Sequence, residues 1–310
     1  MQSEEIKVQL SEAGERLDTL LATKTGITRS QIQVHIKSGN VLVNEKKVTQ
    51  NYRLKAQDII FLSIPDKETE GLIPEHIPLD ILYKDEYFVV VNKPPGMVVY
   101  PATGNRSGTL MNALSYLYKD LSAPGGPLRP GVVHRLDKDT SGVIVIACNN
   151  EAYYNLIEQF KQRTINKRYL ALVYGNLQKD KGEIVQKIGR SDSDRKKMST
   201  RSRRGKEAVT KWTVLKRFNN ATFIEVNLGT GRTHQIRVHF ASIGHPVLGD
   251  RTYGKKVELL LQGKKKIVFP RQMLHAELLG FIHPATGKYL EFSSPIPEDM
   301  AERIRELHSY

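Results

Sequence analysis

Beyond Ile77 the chain returns repeatedly to short runs rich in Val, Ile, Leu and aromatic residues: "YFVVVNKP", "GVIVIAC", "RYLALVYG", "AVTKWTVLKRF", "ATFIEVNL" and "THQIRVHF". Runs of this length and branching read as β-strands. Two helices stand out among them, "GTLMNALSYLYK" and "EAYYNLIEQFKQR", the second with Tyr154, Ile157 and Phe160 at core-facing spacing. Many strands and few helices, mostly out of strict alternation, predict an α+β domain around a largely antiparallel mixed sheet. At 310 residues and 39% hydrophobic content the chain has room for that core and one smaller module.

The smaller module is read at the N-terminus. "GERLDTLLATKTG" has the pattern of an amphipathic helix with Leu17, Leu20 and Leu21 on one side and Gly26 as its stop. Thr28 and Gln31 make a capping box ahead of "QIQVHIKSG", which Gly39 closes. "VLVNEKKVT" reads as a hairpin and "DIIFLSI" as a closing strand. This predicts a module over 1–62, a Pro- and Glu-rich linker over 63–77, and a large domain over 78–310.

Charge separates the regions further. The net charge is +14, and residues 161–217 hold 18 Lys/Arg against 5 Asp/Glu, whereas residues 1–70 hold ten of each. Between Lys24 and Lys55 the module still shows seven Lys/Arg and one acid, Glu45, so Arg29, Lys37, Lys46, Lys47 and Arg53 are candidate contacts to a polyanion. For "RKKMSTRSRRGK" alone, a solvated basic loop is the competing reading.

Several classes fit poorly. No apolar run reaches eighteen residues and "MQSEEIKVQL" lacks a signal-peptide core, so a cytoplasmic protein with no membrane association is expected. The single Cys148 follows "VIVIA" and reads as a buried, inert thiol with no disulfide partner. His134 with Asp137 and Asp139, or His234 with His239, match no common metal spacing, so no metal is expected. Ser141 lies outside a nucleophile elbow, and no phosphate-cradling or dinucleotide loop is present.

Three polar groups interrupt apolar patterns. Asp137 lies between "VVHRL" and the buried run, as a turn residue or as a functional carboxylate. Arg237 shares a predicted strand face with Gln235 and His239, opposite Ile236, Val238 and Phe240; that face is either solvated or a site. Tyr169, on the face of Ala171 and Val173, is either a packed aromatic or part of the same site.

The module resembles the S-four domain, a small RNA-binding unit, over residues 14–62. In order, "NKPPGMVVYPATGN", "GVVHRLDKDTSGVIVIA", "KRYLALVYG", "LGTGRTHQIRVHFASIGHPVLGDRTYG" and "LHAELLGFIHPATG" resemble the motifs of the Rlu-type pseudouridine synthases across essentially the whole chain. One departure is Tyr100, where that family commonly has His. The resemblance implies isomerisation of uridine in large-subunit ribosomal RNA, free or in an assembling particle, by a monomeric enzyme without a cofactor, because no redox change occurs. It implies that Asp137 is the catalytic aspartate, that Tyr169 packs on the flipped base and is a candidate for proton abstraction, and that Arg237 pairs with the aspartate. Arg135 is then expected to enter the stack where the uridine left, flanked by His134, with Lys93, Arg232 and Gln235 as further substrate contacts. A carboxylate in a base-binding pocket loses water, which favours its neutral form, and a bidentate guanidinium opposes that. The rivals are a tRNA-directed enzyme of the same family, a non-catalytic RNA-binding assembly protein, and a metal-dependent nuclease.

Overall fold

A computed structural model describes residues 2–64, 71–102, 104–118, 121, 123–260 and 266–309. The chain divides into two compact units, Met1–Glu70 and Gly71–Tyr310. Residues 65–70 of the predicted linker lie outside the described residues. Residues 71–77 of that linker belong to the second unit: Asn112 Nδ2 donates to Ile73 O at 2.8 Å, and the Glu75 carboxylate accepts from Gly108 N at 3.1 Å.

The first unit contains β1 (Gln2–Lys7), α1 (Leu17–Thr25), α2 (Arg29–Lys37), β2 (Val41–Val43), β3 (Lys46–Lys47) and β4 (Ile59–Ile64). The strands form an antiparallel sheet in the order β1-β4-β2-β3. Leu17, Leu20 and Leu21 are buried with Ile32, Ile36, Ile60 and Leu62 in one core, as the leucine spacing predicts. Gly26 ends α1 in the left-handed region, and Gln31 Oε1 accepts from Thr28 N at 3.3 Å at the start of α2.

The second unit is built on ten strands: β5 (Asp80–Lys84), β6 (Phe88–Lys93), β7 (Ser141–Ala147), β8 (Asn166–Tyr174), β9 (Lys181–Arg190), β10 (Met198–Ser199), β11 (Lys206–Phe218), β12 (Ala221–Leu228), β15 (Leu274–Ile282) and β16 (Tyr289–Ser293). A small hairpin, β13 (Glu258–Leu260) and β14 (Lys266–Val268), stands apart. The large sheet runs β10-β9-β11-β12-β8-β15-β7-β6-β5 with β16 on β15. Among the described residues only the β15–β7 pair is parallel, so the sheet is mixed and largely antiparallel, as expected. Its helices are α3 (Leu110–Leu117), α4 (Asn150–Gln162), α5 (Gln235–Ser242) and α6 (Glu298–His308).

Two expectations need correction. "THQIRVHF" is not a strand: Gln235–Ser242 is helical, entered through His234 at φ 56° and opened by a Val238 N to His234 O bond of 2.9 Å. The period-two alternation misleads because Gln235 through Phe240 of this short helix are all buried, the polar ones satisfied by hydrogen bonds. On α4, Tyr154 is exposed while Ala152, Leu156 and Gln159 are buried. Gln159 reaches the core side because its amide pairs with Ile282, giving to its O at 2.7 Å and accepting from its N at 2.9 Å.

Candidate active site

The segment before β7 carries Asp137 on a braced turn. Thr140 N donates to Asp137 O at 3.1 Å, with Asp139 inside the turn. Lys93, fully buried, donates from Nζ to Lys138 O at 3.1 Å and also to Pro94 O and Met97 O at 2.8 and 2.9 Å. Burial pushes its ammonium down to about 7. Arg271 Nη1 donates to Asp139 O at 2.9 Å, and Gln272 Nε2 to Thr140 Oγ1 at 2.8 Å. Asp299 of α6 grips Arg271 at 2.6 and 2.9 Å. Gly142 sits at φ 116° where β7 meets β15, and a Cβ there would lie 2.1 Å from Ala276 O. With its backbone held from these sides, the loop turns the Asp137 side chain into a cavity of about 440 Å³.

Arg237 on α5 reaches the same carboxylate. Its Nη1 donates to Asp137 Oδ2 at 2.8 Å, while Nε and Nη2 bind Asp250 at 2.8 and 3.0 Å. The bidentate partner is therefore Asp250, not Asp137, because Asp250 faces the Nε edge and has its own Oδ1 fixed by Thr252 N and Tyr253 N at 2.9 and 3.1 Å. Burial opposes the Arg237 charge, but Asp250 and Asp137 outweigh it and hold the guanidinium above its usual range. Asp250 was not legible as a site residue, since an acid after Gly249 reads as a turn former.

Tyr169, on β8 between Val226 and Ala276 in register, forms another wall of the cavity. Burial, then the nearby Asp137, pushes its hydroxyl well above the usual tyrosine range, so it is a neutral phenol. His134 stacks on Phe160 with centroids 4.8 Å apart and accepts from Val145 N through Nε2 at 3.1 Å. Burial holds its ring down to about 3, so the proton sits on Nδ1. His234 also lines the cavity, its Nε2 3.6 Å from Asp137 Oδ1.

The other expected contacts divide. Arg135 is exposed at the mouth, donating to Tyr100 OH at 3.2 Å with its guanidinium 5.6 Å from the Tyr100 ring centre. Arg232 also lines the cavity. Lys93 does not reach it, because three carbonyls hold its ammonium beneath the loop. Gln235 is a strut rather than a free contact: its amide donates to Val209 O and Thr210 Oγ1 and accepts from Thr230 Oγ1 and Arg232 N. Burial raises the Cys148 thiol to about 11. Among the described residues no group of three or more His, Cys, Asp or Glu is placed to hold a metal ion, and no helix is long and apolar enough to cross a membrane.

In the first unit Lys37, Lys46 and Lys47 are exposed. Arg29 is partly engaged, its Nε 3.0 Å from the fully buried Asp18, and Arg53 donates to Gly14 O at 2.8 Å. Hydrogen bonds from Arg16, with help from Gln33 and Arg29, hold the Asp18 carboxyl far below the usual range. Asp18 thus orients two arginines from within α1.

A braced aspartate thus stands beside a buried arginine and a half-buried tyrosine, in a cavity rimmed by cations that suit an anionic ligand. Residues 87–242 match the RNA pseudouridylate synthase family and residues 15–60 the S4 domain. The chain is 44% identical to an uncharacterized RNA pseudouridine synthase of Bacillus subtilis, over 98% of this chain and 97% of that one. It is 42% identical to the ribosomal large subunit pseudouridine synthase D of Zymomonas mobilis, over 97% and 96%. A solved structure of human RNA Pseudouridylate Synthase Domain Containing 1 superposes with a TM-score of 0.56 at 26% identity, covering 76% of this chain and 97% of that one. The chain belongs to the RNA pseudouridylate synthase family. It is an RNA pseudouridine synthase, an isomerase with an N-terminal S4 domain.

Proposed function

We propose that this enzyme isomerises uridines of large-subunit ribosomal RNA, free or in an assembling particle, with Asp137 as the catalytic carboxylate. The observation that carries the reading is that, among the described residues, Asp137 is the one acid lining a cavity whose other charged walls are Arg135, Lys161, Arg163, Lys167 and Arg232. Such a cavity takes one extruded nucleotide: the base against Tyr169 and the carboxylate, the phosphates along the cations. Extrusion costs a few kcal/mol, which stacking on Tyr169 at roughly 1–3 kcal/mol per base helps offset. Arg135, at the mouth, fills the vacated stack. His134, on the cavity wall, keeps Nδ1–H as its remaining donor for the substrate.

In this reading Asp137 acts while the bond from ribose to base nitrogen breaks, the base turns, a bond to carbon 5 forms, and the carbon 5 proton leaves while the freed ring nitrogen takes one up. Arg237 keeps one carboxylate oxygen occupied and leaves Oδ1 for the reaction. Tyr169, a neutral phenol, enters as a hydrogen-bond donor; abstracting a proton would need the phenolate that burial disfavours. The S4 unit grips flanking RNA through Lys37, Lys46 and Lys47, with Arg29 and Arg53 contributing their exposed edges. The ribosomal substrate is supported by the relatives named for the large subunit.

The test is tritium release from RNA labelled at uridine carbon 5, with pseudouridine mapping of ribosomal RNA and tRNA. Wild type is expected to act on large-subunit transcripts or particles, and Asp137→Asn to be inactive with RNA affinity within about tenfold, roughly 1.4 kcal/mol. Turnover by Asp137→Asn near wild type would refute the aspartate. Modification of tRNA alone would move the substrate.

A further inference from the structure

The basic segment between β9 and β11 reaches the catalytic carboxylate through two side chains that the proposed reaction leaves unassigned. Met198, on the short strand β10, pairs with Arg190 of β9 and so belongs to the hairpin rich in Lys and Arg. Its backbone N donates to Tyr253 OH at 3.0 Å, and that hydroxyl lies 2.6 Å from His234 Nδ1. His234 Nε2 in turn lies 3.6 Å from Asp137 Oδ1, the oxygen that Arg237 does not hold. We propose that Tyr253 and His234 are positioning residues for the reaction: Tyr253 locks His234 in the tautomer that carries its proton on Nε2, and His234 aims that proton at the free oxygen of Asp137.

The hydrogen bonds set the direction of each proton. The Tyr253 hydroxyl already accepts from Met198 N, and His234 Nδ1 is its one acceptor among the described residues, so it donates there. Nδ1 is therefore an acceptor, and a neutral ring must carry its proton on Nε2. Burial keeps both groups in these forms, raising the Tyr253 hydroxyl and lowering the His234 ring. Tyr253 is itself seated, with the Arg237 guanidinium 5.1 Å from its ring centre and its backbone N on Asp250 Oδ1. At 3.6 Å the last link is longer than a hydrogen bond, so the resting ring stands poised beside Oδ1 and a shift of about half an ångström closes it. RNA held by the hairpin would steady Met198 and, through Tyr253, the ring that faces the reacting oxygen.

This inference rests on Asp137 as the catalytic group, and the experiment keeps the two apart. Single-turnover rates at saturating enzyme, RNA affinity and melting temperature are measured on the full chain. Tyr253→Phe keeps the ring and removes only the lock; its rate is expected to fall about tenfold, with affinity within about twofold. His234 sits at φ 56°, which Asn tolerates better than Gln. Gln places an amide N–H near the Nε2 position, whereas Asn reaches only as far as Nδ1. A positioning role therefore predicts that His234→Gln outperforms His234→Asn in rate, although it melts no higher, and that adding Tyr253→Phe to His234→Gln costs nothing further. A backbone role predicts the opposite order. Wild-type rate in Tyr253→Phe, Asn outperforming Gln, or multiplicative losses in the double variant would each overturn the proposal. If Asp137→Asn stays active, the underlying assignment fails instead.

Discussion

Asp250→Asn isolates what the second carboxylate does for the first. Asp250 is fully buried beside an Arg237 side chain that is 7% exposed, so the pair exchanges little with solvent. Asparagine keeps the shape and an oxygen for Thr252 N, Tyr253 N and Arg237 Nη2, but its amide nitrogen faces Arg237 Nε–H, donor against donor. One charge-assisted bond of about 1.5–3 kcal/mol is lost and Arg237 keeps a single anionic partner. Breaking buried pairs outright costs roughly 3–5 kcal/mol, and the conserved bonds on Oδ1 put this change near the lower end, about 3 kcal/mol. The guanidinium then leans toward Asp137, displacing the carboxylate. Misplacement by about 1 Å costs up to roughly a hundredfold in rate. Urea denaturation, single-turnover tritium release and RNA binding are the assays. The expected result is a stability loss near 3 kcal/mol, a rate loss of about ten- to a hundredfold, and unchanged affinity. A destabilised variant with wild-type single-turnover rate would refute the reasoning, because Arg237 would then hold Asp137 without Asp250.

Tyr169→Phe should bind RNA normally and turn over at least about tenfold more slowly; and because the wild-type hydroxyl acts as a phenol, the wild-type rate should not climb tenfold per unit between about pH 7 and 9, the signature of a working phenolate. Gly142→Ala should destabilise the second unit by more than about 2 kcal/mol, since the added Cβ meets Ala276 O at a φ that alanine rarely adopts; an unchanged denaturation midpoint would contradict that packing. His134, His234, His239 and His275 all have ring pKa values lowered by burial. Below about 6.5 the unfolded chain takes up protons that the folded chain refuses, so stability should fall as pH drops from 7.5 to 5.5, by about 1.4 kcal/mol over that whole range for His134, whose ring is held down to about 3, and in the same direction for the others; a flat profile in denaturant titrations would refute it.

By itself the sequence determined those features that depend on near neighbours. Leu17, Leu20 and Leu21, the Thr28–Gln31 box and the Gly26 stop are local signals, and each appears where its spacing put it. The strand runs from "YFVVVNKP" to "ATFIEVNL" carry their own propensity, so the largely antiparallel sheet was legible before any contact was known. The motifs around Asp137, Tyr169 and Arg237 marked residues that the fold brings together, Asp137 and Tyr169 on one cavity wall and Arg237 donating to Asp137. Contacts across long separations decided the rest. In the helix Gln235–Ser242 the residues Gln235 to Phe240 are all buried and find partners for their polar groups around the helix, which no period in the sequence encodes. Lys93 and Gln235 read as substrate contacts until the fold supplied carbonyls and hydroxyls that use up their donors. Asp250 carried no signal of its own in the sequence, and only the tertiary structure set it against the guanidinium that also reaches, 100 residues upstream, Asp137.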